Sequence, residues 1–328
     1  MSFLDYCLNL YNTLNNTTSE SNSDSSNTNF ISLIEMLSKN FSSDQLRKLY
    51  SEEIKELISN RLSLLKIENE YKNELEKLSY YFDSVGGFTL TLIFWIEHNK
   101  VKFSKEEINK ISEAGLMGSI GYRLIDIQND EGLLGKESTI IGHYFIHNYE
   151  EIMLEIFDDP EAFRIMSKNV GLYTKVEFLE KRNRWKSCPF NWDEPENLGL
   201  KISPIFSIFE LVLRKVGKNE KEIESLLKGI RYVTAALQML DDFSDIEEDL
   251  TNGIETLVMS GFYEKFGTDV KITKELINSF LTEERVLKFY TTTQFLFEEA
   301  RKIFTKNDDD IMLLSLEIQN YQFNSQLA

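Results

Sequence analysis

The chain has 328 residues, of which 42% are hydrophobic, and its formal net charge is −18. This length and apolar content suffice for a sizeable core, whereas an acidic chain without a basic cluster argues against nucleic-acid binding, because phosphate contacts require clustered Lys and Arg. The longest apolar segment, 85–96, is too short to span a bilayer, so we expect no stable membrane insertion. With no visible signal peptide, and with only Cys7 and Cys188 far apart in the chain, we expect a cytoplasmic protein.

The N-terminal segment 1–29 is predicted to be a short helix followed by a flexible linker. Residues 15–29, NNTTSESNSDSSNTN, are polar and low in complexity, so they cannot bury enough surface to order themselves. In the remainder, long stretches carry apolar residues at helical spacing, and hairpin signals do not recur. We therefore predict a single all-α domain over 30–328.

A first pair of carboxylates ends a helix that is expected to begin at about Lys105. Asp126 and Asp130 are four residues apart, which places both on one helix face. Taken alone this pair is weak evidence, because the pattern is common by chance. His143 and His147 also lie four apart but lack the HEXXH pattern of a zinc site, so we interpret them as helix residues and at most minor ligands.

Two further helices are predicted after a loop at residues 188–199, CPFNWDEPENLG, which collects prolines and turn residues. In the first of them Ser203 is interpreted as the N-cap and Pro204 as the first helical residue. The second is expected to run from about Asn219 to Asp249. Its stretch YVTAALQML is apolar on nearly every side, which indicates a central, mostly buried helix.

The end of that helix is strongly acidic. Six of the nine residues 241–249 are carboxylates, and no Lys or Arg occurs within 232–264. Asp241, Asp245 and Asp249 form a row in which like charges repel, at a helix end where the dipole disfavours anions. A solvated acidic face is the alternative, but the row continues a buried helix. We therefore favour a Mg²⁺ site, since Mg²⁺ takes one or two carboxylates and leaves its other positions to water and phosphate oxygens.

These residues resemble the second half of class I isoprenoid synthases, which include trans-prenyl diphosphate synthases and class I terpene cyclases. Lys201, Gln238 and the motif DDFSD at 241–245 follow the order of that family, and GLLGKESTIIGHYFIHNYEEI resembles the segment after its first acidic motif. The resemblance extends over about 82–261. It implies an all-α class I isoprenoid synthase bundle around a central apolar cavity, with two acidic motifs facing each other across its mouth.

The resemblance also implies Mg²⁺, usually three ions, that grip the diphosphate of a polyprenyl substrate. The implied metal ligands are Asp126, Asp130, Asp241, Asp245 and Asp249. The implied diphosphate-binding cations are Lys201, Lys136 and Arg182, where Arg182 is taken from the basic stretch EKRNRWK and an ordinary basic loop is an equal alternative. The resemblance further implies catalytic roles for Asp126, Asp241 and Lys201.

Aromatic faces near the motifs can stabilise carbocations in such a cavity. The candidates for the cavity wall are Phe82, Tyr122, Phe145, Phe206, Thr234 and Gln238. For each aromatic residue, ordinary packing in the protein core is the alternative.

Departures from the family pattern favour a cyclase. A GKxxR-like motif is missing near the N-terminus, Lys136 alone follows the first acidic motif, and Gly253-Ile254 stands where the family has GK. We therefore expect a terpene synthase, a lyase that ionises a linear polyprenyl diphosphate, forms a cyclic terpene and releases diphosphate. The alternatives are a trans-prenyltransferase that condenses isopentenyl diphosphate with an allylic diphosphate, with a head-to-head synthase as a variant, and a non-catalytic helical family member. A homodimer fits the family.

Overall fold

A computed structural model gives the structure of the chain. It describes residues 56, 59–66, 96, 103–130, 137–307, 309, 312–313 and 316, with the side chain of Asp130 left out. The chain divides into two compact units, one formed by 1–158 with 317–328 and the other by 159–316. The single domain predicted over 30–328 stays a prediction, and the predicted linker within 1–29 lies outside the described residues.

The first unit contains α1 (Lys105–Asp130) and α2 (Glu137–Phe157), which pack against each other. Helix α1 begins where predicted, because Ser104 and Glu107 form a reciprocal cap. The Glu107 N–H donates to the Ser104 hydroxyl at 3.2 Å, and the Ser104 N–H donates to the Glu107 carboxylate at 2.7 Å. Gly121 and Gly142 let the two backbones approach, since a Cβ on either would lie 2.7–2.8 Å from the carbonyl oxygen of the other.

The second unit is also helical. Its described elements are α3 (Pro160–Asn183), a 3₁₀ helix (Pro195–Ile202), α4 (Ser203–Lys215), α5 (Glu220–Ser244), α6 (Ile246–Thr251), α7 (Phe262–Phe266), α8 (Lys274–Phe280) and α9 (Glu283–Lys306). No β-strand occurs in the part of the chain that the structure describes, which confirms the predicted all-α class. Among these same residues, no helix combines the length and apolar character needed to cross a membrane.

Helix α5 is the centre of the second unit. It packs against α9 and the 3₁₀ helix, while α3 packs against α4. The core is built from the buried apolar side chains of α5 and α9, whose removal from water stabilises the unit. These include Ile223, Leu226, Ile230, Phe289, Phe297 and Phe304. Six of the nine residues 232–240 are buried, so the predicted burial is confirmed for this stretch, whereas only 11 of the 25 residues of the whole helix are buried.

The predicted start of α5 is confirmed and its predicted end is wrong. Asn219 is the N-cap, and its side chain and that of Glu222 each accept from the other's backbone N–H. The helix does not continue to Asp249, because Asp245 leaves the helical conformation with φ −105° and ψ 16°. The Ser244 hydroxyl donates to the Leu240 carbonyl at 3.0 Å. Carboxylates at a helix C-terminus oppose its dipole, which is consistent with a break at this point.

The prediction for the start of α4 is wrong in detail. Ser203 is the first residue of the helix and Ile202 is its N-cap. The Ser203 hydroxyl is buried and donates to the Asn169 carbonyl of α3 at 2.8 Å, so it does not cap α4. The later part of the predicted loop is the 3₁₀ helix Pro195–Ile202, which leads directly into α4. Tertiary contact with α3 therefore replaces the expected local cap.

Candidate active site

The predicted row of aspartates keeps its helical register across the break between α5 and α6. The Asp245 N–H donates to the Asp241 carbonyl at 3.0 Å, and the Asp249 N–H donates to the Asp245 carbonyl at 2.9 Å. Backbone bonds between residues four apart therefore continue from α5 into α6. The non-helical backbone angles of Asp245 therefore leave the four-residue spacing of the row unchanged.

The carboxylates at this helix end fall into an outer and an inner set. Asp241 and Asp245 are exposed, whereas Asp242 is buried and Asp249 is half-buried. The Gln238 amide donates to the Asp242 carboxylate at 2.8 Å and reaches Asp241 at only 3.5 Å. Two of the three predicted ligands in this row are thus exposed to solvent, and the third, Asp249, is half-buried.

Burial disfavours the charged form of the two inner carboxylates. It raises the pKa of Asp242 to about 7, against the opposing positive charge of Lys201. Burial, with the negative charge of Asp242, raises the pKa of Asp249 to about 8. Both inner carboxylates therefore bind a proton more readily than an exposed aspartate does.

Lys201, a predicted diphosphate ligand, lies in a buried ion pair. Its Nζ is 2.9 Å from Oε1 of Glu180, whose side chain is 6% exposed, and its own side chain is 18% exposed. Burial opposes the charge of Lys201, but the negative charges of Glu180 and Asp242 outweigh that effect and raise the pKa of Lys201 well above its usual value. The charge of Lys201 thus acts on the inner carboxylates of the acidic helix end, and its ion-pair partner is Glu180, which sequence analysis missed.

A second contact that sequence analysis missed anchors the segment after α6. The buried carboxylate of Glu255 accepts from the Cys188 N–H at 2.7 Å and from the Tyr263 N–H at 2.9 Å. The Tyr263 hydroxyl donates to the Leu250 carbonyl at 2.6 Å, next to Asp249. Hydrogen bonds from buried groups to a carboxylate are strong, so Glu255 fixes two loops beside the acidic helix end.

Of the predicted cavity residues in the second unit, Thr234 and Gln238 lie on α5 and Phe206 lies on α4. Thr234 is buried, and its hydroxyl donates to the Arg231 carbonyl at 3.0 Å and to the Gly199 carbonyl at 3.4 Å. Phe206 is buried in α4. Their role in a cavity wall stays a prediction.

The predicted cavity residues of the first unit are Phe145 and Tyr122, since Phe82 lies outside the described residues. Phe145 is fully buried in α2. Tyr122 is half-buried in α1, and burial raises its pKa above the usual range. Burial of this kind fits both core packing and a cavity wall, so the two alternatives stay open.

The first acidic pair is only partly described. Asp126 is half-buried and accepts from Nη1 of Arg123 at 3.0 Å. The side chain of Asp130 and the whole of Lys136 lie outside the described residues. His143 and His147 are exposed on α2, as expected for helix residues without a zinc pattern.

Arg182, the remaining predicted diphosphate-binding residue, lies in the last turn of α3. It is exposed, and its guanidinium carbon is 6.0 Å from the centre of the Phe178 ring. Its role as a diphosphate ligand stays a prediction.

Within the described ranges, no group of three or more His, Cys, Asp or Glu side chains is arranged to hold a metal ion by itself. Mg²⁺ does not require such a group, because it commonly takes one or two carboxylates and completes its shell with water and phosphate oxygens. The exposed oxygens of Asp241 and Asp245 fit that kind of site.

Comparisons with known proteins connect this arrangement to a fold. No family model matches the chain, and no curated protein matches it. Among solved structures, the chain is similar to a decaprenyl diphosphate synthase from Rhodobacter capsulatus, at 14% identity and a TM-score of 0.62, covering 81% of this chain and 94% of that one. It is similar to a heptaprenyl diphosphate synthase from Staphylococcus aureus, at 12% identity and 0.58, covering 82% and 98%.

A third similar structure is a polyprenyl synthase from Caulobacter crescentus CB15, complexed with calcium and isoprenyl diphosphate, at 14% identity and a TM-score of 0.62. That likeness covers 84% of this chain and 94% of the other. At these identities the likeness concerns the fold, and it extends over most of each chain. The chain therefore has the all-α fold of the class I isoprenoid synthases.

Proposed function

We propose that the chain is a Mg²⁺-dependent enzyme acting on polyprenyl diphosphates, and specifically a trans-prenyl diphosphate synthase. One observation carries this proposal: the three similar structures are prenyl or polyprenyl synthases, and the likeness covers 94–98% of their chains. The comparisons thus favour the alternative that sequence analysis placed second, and they favour it over the terpene cyclase that was expected first.

The proposed metal ligands are the carboxylates of both acidic motifs, namely Asp126, Asp130, Asp241, Asp245 and Asp249. Asp241 and Asp245 are supported by their exposure and by their spacing at the end of α5. Bound Mg²⁺ would supply Lewis-acid stabilisation of the departing diphosphate. The structure with calcium and isoprenyl diphosphate supports a divalent cation in a protein of this fold.

The residues around the motif have distinct proposed tasks. Gln238 holds Asp242 inward through the 2.8 Å hydrogen bond, which leaves Asp241 as the outward carboxylate of the pair. Lys136 and Arg182 are proposed to contribute positive charge to the diphosphate, and Asp126 and Asp241 to act as catalytic metal ligands. The C–O bond of the allylic diphosphate breaks, the diphosphate leaves with the electron pair, and the double bond of isopentenyl diphosphate attacks the resulting allylic cation. A proton is then lost from the isopentenyl unit.

A terpene cyclase is the second candidate, and one structural observation favours it. Ile254, at the position where the prenyl synthase pattern has a lysine, is a buried apolar residue with 7% exposure. The chain therefore lacks at this position a cation that the pattern uses for diphosphate. A cyclase binds a single diphosphate and needs fewer such cations, and the spacing of Asp241, Asp245 and Asp249 fits its second motif.

A product assay separates the two candidates. Purified protein with Mg²⁺ would be given geranyl, farnesyl or geranylgeranyl diphosphate, each with and without isopentenyl diphosphate. Products would be analysed by mass spectrometry as diphosphates and by gas chromatography as hydrocarbons, beside an Asp241→Ala control. We expect longer diphosphates that form only when isopentenyl diphosphate is present and that disappear in the control.

Each other outcome has a definite meaning. A hydrocarbon or alcohol formed from one allylic diphosphate alone would contradict the synthase and support the cyclase. The absence of both kinds of product, in protein whose melting temperature does not rise with Mg²⁺ and pyrophosphate, would contradict both activities, because a ligand that binds only the folded state must stabilise it.

A further inference from the structure

The segment that follows α6 is tied to two other parts of the second unit through Glu255. One oxygen of its carboxylate accepts from the Cys188 N–H at 2.7 Å, and the other accepts from the Tyr263 N–H at 2.9 Å. Cys188 lies before the 3₁₀ helix, and Tyr263 lies in α7. A single buried side chain therefore joins the segment after α6 to two further stretches of backbone.

Asp249 begins the turn that ends at Glu255, and backbone contacts connect the two residues. The Ile254 N–H donates to the Asp249 carbonyl at 2.8 Å, so the residue before Glu255 is bonded to the last carboxylate of the acidic row. The Tyr263 hydroxyl donates to the Leu250 carbonyl at 2.6 Å. The turn is thus held at both ends, by the carboxylate at one and by the Tyr263 hydroxyl at the other.

We propose that Glu255 is a positioning residue which, together with the Tyr263 hydroxyl, holds this turn so that the Asp249 carboxylate is fixed for binding Mg²⁺. This inference rests on the proposed function, since Asp249 is one of the metal ligands proposed there. Glu255 itself takes no part in binding the metal ion, because it is 4% exposed and each of its oxygens accepts from a backbone N–H.

The negative charge of Glu255 is costly at this position, which points to a role beyond packing. Across the part of the chain that the structure describes, no ion pair of Glu255 accompanies its two hydrogen bonds. Burial of a carboxylate without a cation is unfavourable unless hydrogen bonds compensate for the lost water. Hydrogen bonds to a charged acceptor are stronger than those between neutral groups. An apolar side chain could fill the same space without this cost, but it could not fix two backbone segments.

Two variants remove the proposed contacts one at a time. Glu255→Gln keeps the shape of the side chain but replaces one acceptor oxygen by an NH₂ group, so that either the Cys188 or the Tyr263 N–H faces a donor. Tyr263→Phe removes only the hydroxyl that bonds the Leu250 carbonyl. The second variant keeps the inference testable if Glu255→Gln does not fold.

Glu210→Gln is the matched control, because Glu210 is also a buried carboxylate of the second unit. It is 3% exposed on α4 and pairs with Arg214 at 3.1 Å. Arg214 in turn donates to Glu220, the first residue of α5, at 2.8 Å. The control therefore disturbs a buried glutamate near the start of α5, whereas the acidic row lies at the end of that helix.

Two quantities would be measured for each protein. They are the dissociation constant of Mg²⁺ at a fixed concentration of inorganic pyrophosphate, by titration calorimetry, and the amide hydrogen exchange of residues 246–256 without ligand, by mass spectrometry. We expect Glu255→Gln to weaken Mg²⁺ binding by about tenfold and Tyr263→Phe by about threefold, as for the loss of groups that orient a metal ligand. Glu210→Gln should stay within about twofold of the parent protein, because it is remote from the turn.

The exchange measurement reports on the turn itself. Peptides covering 246–256 should exchange about tenfold faster or more in Glu255→Gln and at the parent rate in Glu210→Gln, since exchange follows local opening. Unchanged exchange in this segment would overturn the proposal. An equal loss of Mg²⁺ affinity in Glu255→Gln and Glu210→Gln would also overturn it, because the affinity would then follow overall stability. So would faster exchange with Mg²⁺ affinity retained.

The two measurements separate this proposal from the proposed function. If the parent protein does not bind pyrophosphate with Mg²⁺, the proposed function fails, and hydrogen exchange alone decides whether Glu255 holds the turn. If Glu255→Gln does not fold, Tyr263→Phe decides. Faster exchange of 246–256 in that variant supports the proposal, and exchange at the parent rate overturns it.

Discussion

The side-chain amide of Gln238 donates a 2.8 Å hydrogen bond to the carboxylate of Asp242, and this contact separates two neighbouring aspartates with opposite surroundings. Asp242 is turned inward and is 7% exposed, while Asp241 is open to solvent. Two adjacent aspartates therefore differ in their surroundings: Asp242 is buried, and Asp241 is exposed and can bind a metal ion.

Replacing Asp241 and Asp242 by Asn should affect different properties, namely ligand binding for Asp241 and stability for Asp242. Asp241→Asn is expected to weaken Mg²⁺-dependent pyrophosphate binding by about tenfold or more while changing the free energy of unfolding by less than about 0.5 kcal/mol, as for an exposed substitution. Asp242→Asn should keep or raise the melting temperature, since it removes a charge from a buried position. Calorimetry and thermal melting of both variants check this. The reverse pattern, with binding lost only in Asp242→Asn, would contradict the division into outer and inner carboxylates.

In EDTA, the free energy of unfolding is expected to fall as the pH rises from 5 to 8. The folded-state pKa values of Asp242, about 7, and Asp249, about 8, lie above the ordinary value of 3.8. The folded chain therefore holds protons that the unfolded chain has released, and the stability present below pH 3.8 is lost as the pH rises through these values. Asp249→Asn, which cannot ionise, should flatten the profile. Urea unfolding at three pH values measures it, and identical slopes in the two proteins would contradict the assignment.

Gly253→Ala is expected to destabilise the second unit by about 3 kcal/mol, because it combines a strained backbone with overpacking. Gly253 has φ +79°, and a Cβ there would overlap the indole ring of Trp185. Gly261→Ala is the matched control, since Gly261 has φ +85° with open space around it, and should cost only about 1 kcal/mol. Urea unfolding compares them. Adding Trp185→Ala to Gly253→Ala should recover the difference, and equal costs for the two glycines would contradict the contact.

The Cys188 thiol is expected to react slowly with disulfide reagents in the folded protein. Burial raises its pKa to about 12, so the reactive thiolate is scarce at pH 8. In a Cys7→Ser background, the folded protein should react with a disulfide reagent about a thousandfold more slowly than the protein unfolded in guanidinium. Absorbance of the released thiol gives both rates. Equal rates would contradict the protection of the half-buried Cys188 thiol in the folded protein.

Local signals predicted the helix starts well. Ser104 with Glu107, and Asn219 with Glu222, are three residues apart and satisfy each other's backbone groups, so their caps depend on nothing distant. The all-α class follows for the same reason, since apolar spacing is a local property of each helix.

Errors arose where a distant partner decides the outcome. Ser203 has the chemistry of an N-cap, yet its hydroxyl is bonded to the Asn169 carbonyl on another helix. Glu180 was not singled out because nothing in its neighbourhood marks it. Only the packing of α3 beside the 3₁₀ helix brings it to Lys201. Periodicity identifies faces of helices but does not say which faces meet.

The most direct test of the central claim is the release of inorganic pyrophosphate from an allylic diphosphate. Purified protein would be mixed with geranyl, farnesyl or geranylgeranyl diphosphate and Mg²⁺, with and without isopentenyl diphosphate, and pyrophosphate would be followed by a coupled assay. We expect release that requires Mg²⁺ and isopentenyl diphosphate and that is lost in Asp241→Asn. No release from any of the three substrates, under either condition, would contradict it.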